Sequence, residues 1–190
     1  ARVLTLVLSD VVGDPLDMIA SGPTVPDPTS YGDALRILET HQLMDKIPSS
    51  IVDHLHKGVS RMIPETPKEA DPIFDRAVTM VIGSNRRAAQ AALQTAQRQG
   101  MDAKILTTSL EGEARHVGRF LGSTLQQLDH AQGAERHPAC LIAGGETTVH
   151  VVGDGLGGRN LEVALAGALE IDRLENVALI TLATDGEDGP

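Results

Sequence analysis

The chain has 190 residues, of which 41% are hydrophobic and 2% aromatic, and its formal net charge is −10. This acidity disfavours nonspecific binding to nucleic acid or anionic membranes, and the scarcity of aromatic side chains removes the stacking platforms of single-strand binders. A single cysteine excludes an internal disulfide and a cysteine-based zinc site. We therefore expect a globular cytoplasmic protein that binds neither nucleic acid nor membrane.

Short apolar runs alternate with helical patterns along the chain. Strands are predicted at residues 3–8, 78–82, 103–106, 139–143, 149–152 and 177–183. Most of these runs are continuously apolar, which is typical of strands covered on both faces in a parallel sheet. The run 149–152 is predicted to pair antiparallel with the strand before it. The alternation predicts an α/β fold built from right-handed βαβ units.

Helices are predicted from apolar residues at helical spacing. The patterns are Tyr31, Ala34, Leu35, Leu38; Ile51, Leu55, Val59, Met62; Ala88, Ala89, Ala92, Leu93, Ala96; Val117, Phe120, Leu121, Leu128; and Leu161, Ala164, Leu165, Ala168. Three prolines, Pro64, Pro67 and Pro72, oppose helix and sheet alike. They predict a connector and a domain boundary near residues 64–76. Because the chain begins inside an apolar run and ends just after a strand and an acidic turn, we expect a segment of a longer protein.

The most informative stretch is GGETTVHVVGDGLGGRNLE at residues 144–162. Six glycines fall within residues 144–158, and Arg159 and Asn160 then open a helical pattern. Glycine lets a ligand approach the backbone closely, and a helix N-terminus presents unpaired N–H groups with a positive dipole end. Arginine adds a planar cation that matches phosphate geometry. We predict anion binding by the N–H-bearing residues Gly144, Gly145, Glu146, Thr147, Gly157, Gly158 and Asn160, together with Arg159.

Two acidic clusters follow predicted strands. Asp10 and Asp14 lie in SDVVGD, and Asp185 and Asp188 lie in TDGEDG at residues 184–189. Ligands gather beyond the carboxyl ends of strands in open α/β sheets, where carboxylates can hold Mg²⁺ or accept a proton. The alternative for both clusters is an ordinary Asp-rich turn.

Two further loops are weaker candidates. In ASGPTVPDP, the backbone N–H groups of Ser21 and Gly22 could bind a carboxylate or phosphate, or the segment could be a proline-braced surface connection. Gly83, Ser84 and Asn85 separate a strand from a helix, so they either bind a nucleotide phosphate or simply cap that helix. The sequence contains neither a Walker A motif nor the dinucleotide fingerprint of Rossmann enzymes.

Three motifs in the same order resemble the glycerate kinase family with a MOFRL domain. They are SDVVGDPLDMIASGPTVPDPTSY at residues 9–31, the glycine-rich stretch at 144–162, and TDGEDGP at 184–190. Some members of this family are labelled hydroxypyruvate reductase. The resemblance implies two three-layer α/β domains with mostly parallel sheets, both incomplete here. Residues 1–70 would belong to a Rossmann-like first domain and residues 71–190 to a MOFRL-type second domain.

The resemblance also implies an enzyme that uses ATP and Mg²⁺ to phosphorylate D-glycerate in a cleft between the domains. Arg159 matches a family arginine thought to be catalytic, while Leu161 stands where the family usually has Gln. A family lysine in a glycine-rich stretch has no counterpart here, so this chain by itself is expected to be catalytically incomplete and not to turn over glycerate at the full rate.

We assign Arg159, Asp10 and Asp185 to catalysis, Asp14 and Asp188 to the metal, Ser21 to the glycerate carboxylate, and Gly83–Asn85 to the nucleotide. The alternatives are an NAD(P)H-dependent hydroxypyruvate reductase and a catalytically incomplete nucleotide-binding fragment. A homodimer is a further possibility.

Overall fold

The computed structural model describes residues 1–131, 138–184 and 186–189. Its elements in chain order are β1 (Val3–Ser9), α1 (Tyr31–Thr40), α2 (Ser49–Val59), β2 (Ala77–Ser84), α3 (Asn85–Arg98), β3 (Asp102–Glu113), α4 (Ala114–Ala131), β4 (Ala139–Thr148) and α5 (Arg159–Ile171), with 3-10 turns at Ile19–Ser21 and Pro72–Arg76. The predicted α/β class is confirmed. All five helical patterns form helices, although Met62, the last residue of the second pattern, lies beyond the end of α2.

The chain divides into two compact units. The first contains Ala1–Val7 and Pro15–Ile82, and the second contains Leu8–Asp14 and Gly83–Pro190. The chain passes from the first unit to the second after Ile82, which lies beyond the predicted proline-rich connector at residues 64–76. The assignment of residues 1–70 and 71–190 to two separate family domains stays a prediction.

The first unit contains a helical hairpin. Ser30 caps α1, because its hydroxyl accepts from the Asp33 N–H while the Asp33 carboxylate accepts from the Ser30 N–H. The helices α1 and α2 meet at Tyr31, whose ring stands edge-on to His54 at 5.6 Å between centroids. Gly58 makes this contact possible, since a Cβ there would lie 2.1 Å from the Tyr31 ring. The strands β1 and β2 form a two-stranded sheet.

The second unit is built on a parallel pair of strands. β3 and β4 pair from Asp102 opposite Ala139 to Glu113 opposite Thr148, with two register shifts between Ile105 and Leu110. Both strands are longer than predicted, because polar residues beyond the apolar runs continue the ladder. Parallel neighbours need a crossover connection, and α4 supplies it.

Helices α4 and α5 pack closely along a stripe of small residues. A Cβ at Gly118 would lie 2.4 Å from the Val163 carbonyl oxygen, and one at Gly122 would lie 2.6 Å from the Glu170 Cβ. The buried residues of α5 are Val163, Ala166 and Gly167. Leu161 and Leu165 belong to the apolar pattern that predicts this helix, but their side chains are 58% and 65% exposed and lie outside the buried face.

Two predicted strands do not form within the described part of the chain. Residues 149–152 and 177–183 lie outside the strands and carry exposed apolar side chains such as Val152 and Ile180. A strand needs a neighbour for its backbone hydrogen bonds, and the ladder of the second unit is the β3–β4 pair. Among the described helices, none combines the length and apolar character that crossing a membrane requires.

Candidate functional site

The glycine-rich segment begins inside the β3–β4 sheet. A Cβ on Gly144 would lie 2.1 Å from the Asn85 Oδ1, and a Cβ on Gly145 would lie 2.1 Å from the Leu110 carbonyl oxygen. Glycine is required at both positions, because any side chain would displace its neighbour. Glu146 and Thr147 pair with Glu111 and Gly112, so their backbone belongs to the sheet and not to a free loop. Their proposed contact with phosphate stays a prediction.

The segment ends at the start of α5, where Gly158 is the N-cap. Gly158 has no side chain to satisfy the first N–H groups of the helix. Asp188 takes this role: its Oδ1 accepts from the Asn160 N–H at 2.8 Å, and its Oδ2 accepts from the Leu161 N–H at 2.8 Å. The Asn160 side-chain amide donates to the same Oδ1 at 3.1 Å. The anion that the sequence predicts at this helix start is therefore, in the structure, a carboxylate of the protein.

These contacts determine the protonation of Asp188. Burial by itself raises the pKa of this carboxyl, but hydrogen bonds from the backbone of Asn160 and Leu161 and from the Asn160 amide outweigh it. The pKa of Asp188 therefore lies below its ordinary value, and the group is ionised at neutral pH. Because both oxygens already accept from N–H donors, the structure gives Asp188 a capping task. Its assignment to a metal stays a prediction.

Arg159 connects the two ends of the glycine-rich segment. Its guanidinium forms an ion pair with the Glu146 carboxylate, and each side chain is 41% exposed. Gly157, just before the helix, has φ +136, a conformation that side-chain-bearing residues rarely adopt. The structure thus brings the Arg159 side chain to the end of β4, beside both predicted glycine pairs.

The start of α3 joins the same region. Ser84 is the N-cap of this helix, and its hydroxyl accepts from the Arg87 N–H at 3.4 Å. The capping alternative is therefore confirmed for Ser84. Gly83 is fitted closely, since a Cβ there would lie 2.6 Å from the Leu8 side chain. Asn85 lies against Gly144, so the predicted nucleotide residues and the predicted phosphate residues come together.

A small polar pocket lies at this helix start. It brings Asn85 together with Asp14, and it is lined by Val11, Gly13, Asp14, Asn85, Arg86, Thr108 and Ser109. Sequence reasoning missed Arg86, Thr108 and Ser109. The arginine pair after Asn85 was a signal for a cationic helix start, whereas nothing in the spacing of Thr108 and Ser109 indicated the pocket.

The first acidic cluster forms a tight turn. The Asp14 N–H donates to the Val11 carbonyl at 3.1 Å, with Gly13 and Asp14 at φ +84 and +56. Aspartate tolerates this left-handed conformation better than most residues, which agrees with the turn alternative. Asp10 is exposed next to the turn. Asp185, the third predicted carboxylate, lies outside the described residues.

Ser21 belongs to the first unit. Ala20, Ser21 and Gly22 are consecutive left-handed residues with φ +49, +61 and +58. The Ser21 N–H donates to the Met18 carbonyl and the Gly22 N–H to the Ile19 carbonyl, so neither N–H is free for an anion. The exposed Ser21 hydroxyl is the group that remains for a glycerate carboxylate. Two consecutive non-glycine residues in this conformation cost about 1–3 kcal/mol each, which is typical of ligand sites.

A dedicated metal cage is absent from the described residues, since they form no group of three or more His, Cys, Asp or Glu side chains suited to a metal ion. Mg²⁺ in phosphoryl-transfer enzymes is held by one or two carboxylates together with substrate phosphates. The assignment of Asp14 to Mg²⁺ stays a prediction.

Sequence reasoning also missed an ion-pair network beside α5. The Arg115 Nε donates to Glu113 at 3.2 Å and lies 3.3 Å from Glu162 Oε1. Glu113 Oε1 also accepts from the His150 N–H at 3.1 Å. These residues come from three elements and a loop, so no local spacing in the sequence connects them.

Comparison with known proteins supports the family resemblance. Residues 1–56 match a family described as a domain of unknown function (DUF4147), and residues 139–190 match the MOFRL family. The glycerate 2-kinase of Pyrococcus horikoshii is 43% identical over 98% of this chain and 42% of its own length. The D-glycerate 2-kinase of Thermotoga maritima is 41% identical over 100% of this chain and 42% of its own length. The glycerate kinase of Homo sapiens is 33% identical over 100% of this chain and 43% of its own length.

Solved structures agree with these relatives. The crystal structure of the Thermotoga maritima glycerate kinase superposes with a TM-score of 0.83, covering 100% of this chain and 43% of that one. A Pyrococcus horikoshii structure superposes with a TM-score of 0.70, covering 90% of this chain and 38% of that one. The chain belongs to the glycerate kinase family with a MOFRL domain. It spans about two-fifths of the length of the relatives it matches.

Proposed function

We propose that this protein transfers the terminal phosphoryl group of ATP to D-glycerate, giving 2-phosphoglycerate. The relatives named above are glycerate kinases, two of them glycerate 2-kinases. Two further observations support the proposal: the Arg159 guanidinium is fixed at the end of a glycine-rich segment, and the start of α3 lies against Gly144.

The observation that carries the proposal is the pairing of Arg159 with Glu146. The guanidinium is held at a helix start, is partly exposed, and is neutralised by one carboxylate. An exposed ion pair contributes about 0.2–1 kcal/mol, so a phosphate dianion competes well for the same fork of N–H donors. Phosphoryl transfer needs positioning and charge neutralisation more than covalent help. Arg159 would supply both to the transferring group.

We assign the other site residues to the nucleotide, glycerate, the transferred proton and Mg²⁺. Gly83, Ser84 and Asn85 would face the nucleotide phosphates together with Arg86 of the same pocket. The Ser21 hydroxyl would bind the glycerate carboxylate, and Asp10 or Asp185 would accept the proton of the attacking hydroxyl. Asp14 would hold Mg²⁺, which neutralises phosphate charge when bound.

The test is ADP release from ATP in the presence of D-glycerate. Replacing Arg159 with Ala removes the guanidinium, and we expect turnover to fall at least about a hundredfold, as loss of a transition-state charge partner does. Arg159→Lys keeps the charge without the fork and is expected to recover part of the loss. The matched control is Arg98→Ala on an exposed turn of α3. Wild-type protein that releases no glycerate-dependent ADP contradicts the proposal.

The reductase alternative is not favoured, because the relatives named above are kinases. It makes an opposite prediction in the same assay set: NAD(P)H oxidation with hydroxypyruvate and no ADP formation. The cytoplasmic location and the homodimer also stay predictions, and sedimentation velocity measures the second.

A further inference from the structure

Two ion-pair groups each include a residue from the first turn of α5. In one, Arg159 pairs with Glu146; in the other, Arg115 bridges Glu113 and Glu162. Together they contain two guanidinium groups and three carboxylates, so the five side chains carry one excess negative charge. Each arginine therefore has more than one possible partner.

Arg159, at the start of α5, does not pair with the carboxylate that is closest to it in sequence. Arg159 and Glu162 are three residues apart on α5, and residues at this spacing are neighbours on a helix surface. Glu162 nevertheless binds Arg115, at 3.3 Å from the Arg115 Nε, while Arg159 binds Glu146 on β4. Glu162 is the carboxylate nearest to Arg159 in sequence, and Arg115 is the group that it contacts instead.

Arg115 is placed well for this task. It is the second residue of α4, directly after β3, and its side chain is 43% exposed. Its Nε and one terminal nitrogen contact Glu113 Oε1, at 3.2 and 3.1 Å. The same oxygen accepts from the His150 N–H inside the glycine-rich segment. Arg115 therefore connects β3, that segment and the first turn of α5.

We propose that Arg115 is a positioning residue: by holding Glu162, it leaves the Arg159 guanidinium free to face β4 and the phosphate. This inference rests on the proposed phosphoryl transfer for its effect on turnover. Its geometrical content, the choice of partner by Arg159, is independent of the reaction.

The experiment compares three variants of the full chain with wild type. In Arg115→Gln, Glu162 loses its partner and captures Arg159, so turnover falls about tenfold while KM for ATP changes less, because the lost interaction acts in the transition state. In Arg115→Gln with Glu162→Gln, the competing carboxylate is gone, and turnover returns to within about twofold of wild type. Arg119→Gln removes an exposed arginine one turn further along α4 and serves as the matched control.

A merely structural ion pair predicts the opposite for the double variant. Removing both partners would leave the contact broken, and turnover would stay as low as in Arg115→Gln. Thermal unfolding of all variants separates the two cases, since rescue of turnover without rescue of the melting temperature supports positioning. Failure of Glu162→Gln to restore turnover, or normal turnover in Arg115→Gln, overturns the proposal.

A crystal structure of the Arg115→Gln variant decides the point even if wild type releases no ADP. We expect the Arg159 guanidinium within hydrogen-bond distance of Glu162. An Arg159 that stays on Glu146 in that variant overturns the positioning role. An inactive wild type with a redirected Arg159 overturns the proposed function alone.

Discussion

A single carboxylate at the far end of the second unit defines how α5 begins. Gly158 is the N-cap, and a Cβ at this position would lie 2.6 Å from the Asp188 backbone carbonyl. Glycine therefore lets the two segments touch but supplies no cap of its own. Asp188 supplies the cap across 28 residues of sequence. The position of Arg159, the first residue of the helix, depends on this contact.

We expect Asp188→Ala to destabilise the protein by about 1 kcal/mol, the usual effect of losing a helix cap. Asp188→Asn should lose less, because its amide oxygen can still accept one N–H. Urea denaturation at pH 7 measures both changes. The exposed neighbour Glu187→Ala is the control and should leave the midpoint within experimental error. Equal stability of Asp188→Ala and wild type would contradict the capping role.

The same contact gives stability a dependence on pH. The pKa of Asp188 is lower in the folded protein than its ordinary value of 3.8. A carboxyl of this kind stabilises the fold fully above its unfolded pKa, and the contribution disappears as pH falls through the folded pKa. The difference in unfolding free energy between wild type and Asp188→Asn should therefore be constant from pH 7 to about pH 5 and shrink below about pH 4. A difference that grows on acidification would contradict the assignment.

Among the elements, the α4–α5 pair depends on glycine at the contact. Gly118→Ala gains about 1 kcal/mol of helix propensity but pushes a methyl to 2.4 Å from the Val163 carbonyl. Overpacking of this kind costs typically about 1–3 kcal/mol, so we expect net destabilisation in thermal unfolding. Gly32→Ala in α1 is the matched control: the nearest atom would be Ser30 Oγ at 3.6 Å, and stability should be unchanged or slightly raised.

The same helices show what sequence patterns can and cannot predict. The positions of all five helices follow from apolar spacing, but the buried face of α5 does not. Leucine is more apolar than glycine, yet close approach to α4 favours Val163, Ala166 and Gly167 at the contact. Hydrophobic periodicity reports which residues avoid water and carries no information on how near two backbones approach.

The candidate site also contains some residues that the sequence indicates and others that only the fold brings together. Its glycines and Arg159 are evident in the sequence, because their types and spacing are local. The Arg115–Glu162 pair and the Asp188 cap are not, because each joins residues that the fold brings together from distant parts of the chain. Likewise, β3 and β4 continue beyond their apolar residues, because each strand extends as far as the other offers backbone hydrogen bonds. The β-propensity of the individual residues does not decide where the strands end.

For the whole molecule, the buried core of the described residues is small. It consists of seven hydrophobic side chains, four of them alanines: Leu35, Ala89, Ala103, Ala114, Val117, Val163 and Ala166. Large side chains such as Leu156 and Ile180 are about nine-tenths exposed, at 91% and 89%. Burial of apolar area is the main driving force of folding, so the small core gives this chain little stabilisation from that source.

We therefore expect an unfolding free energy at or below the low end of the usual range, about 5 kcal/mol, in urea at 25 °C. The net charge of −10 adds self-repulsion, which salt screens. The free energy of unfolding should therefore rise as the NaCl concentration increases from about 0.05 to about 0.5 M, because the Debye length shortens and the negative charges repel one another less. An unfolding free energy above about 10 kcal/mol, or one that falls with salt, would contradict this reading of the core.

The Asp188 cap also acts as a tethered competitor for the start of α5. A group attached to the same chain has an effective concentration of the order of millimolar, and its hydrogen bonds are already aligned. A free carboxylate present at micromolar concentration cannot displace it. An anion that binds this helix start would have to displace the Asp188 carboxylate, so we expect the cap to favour ligands with several charges, such as a triphosphate, over a single carboxylate.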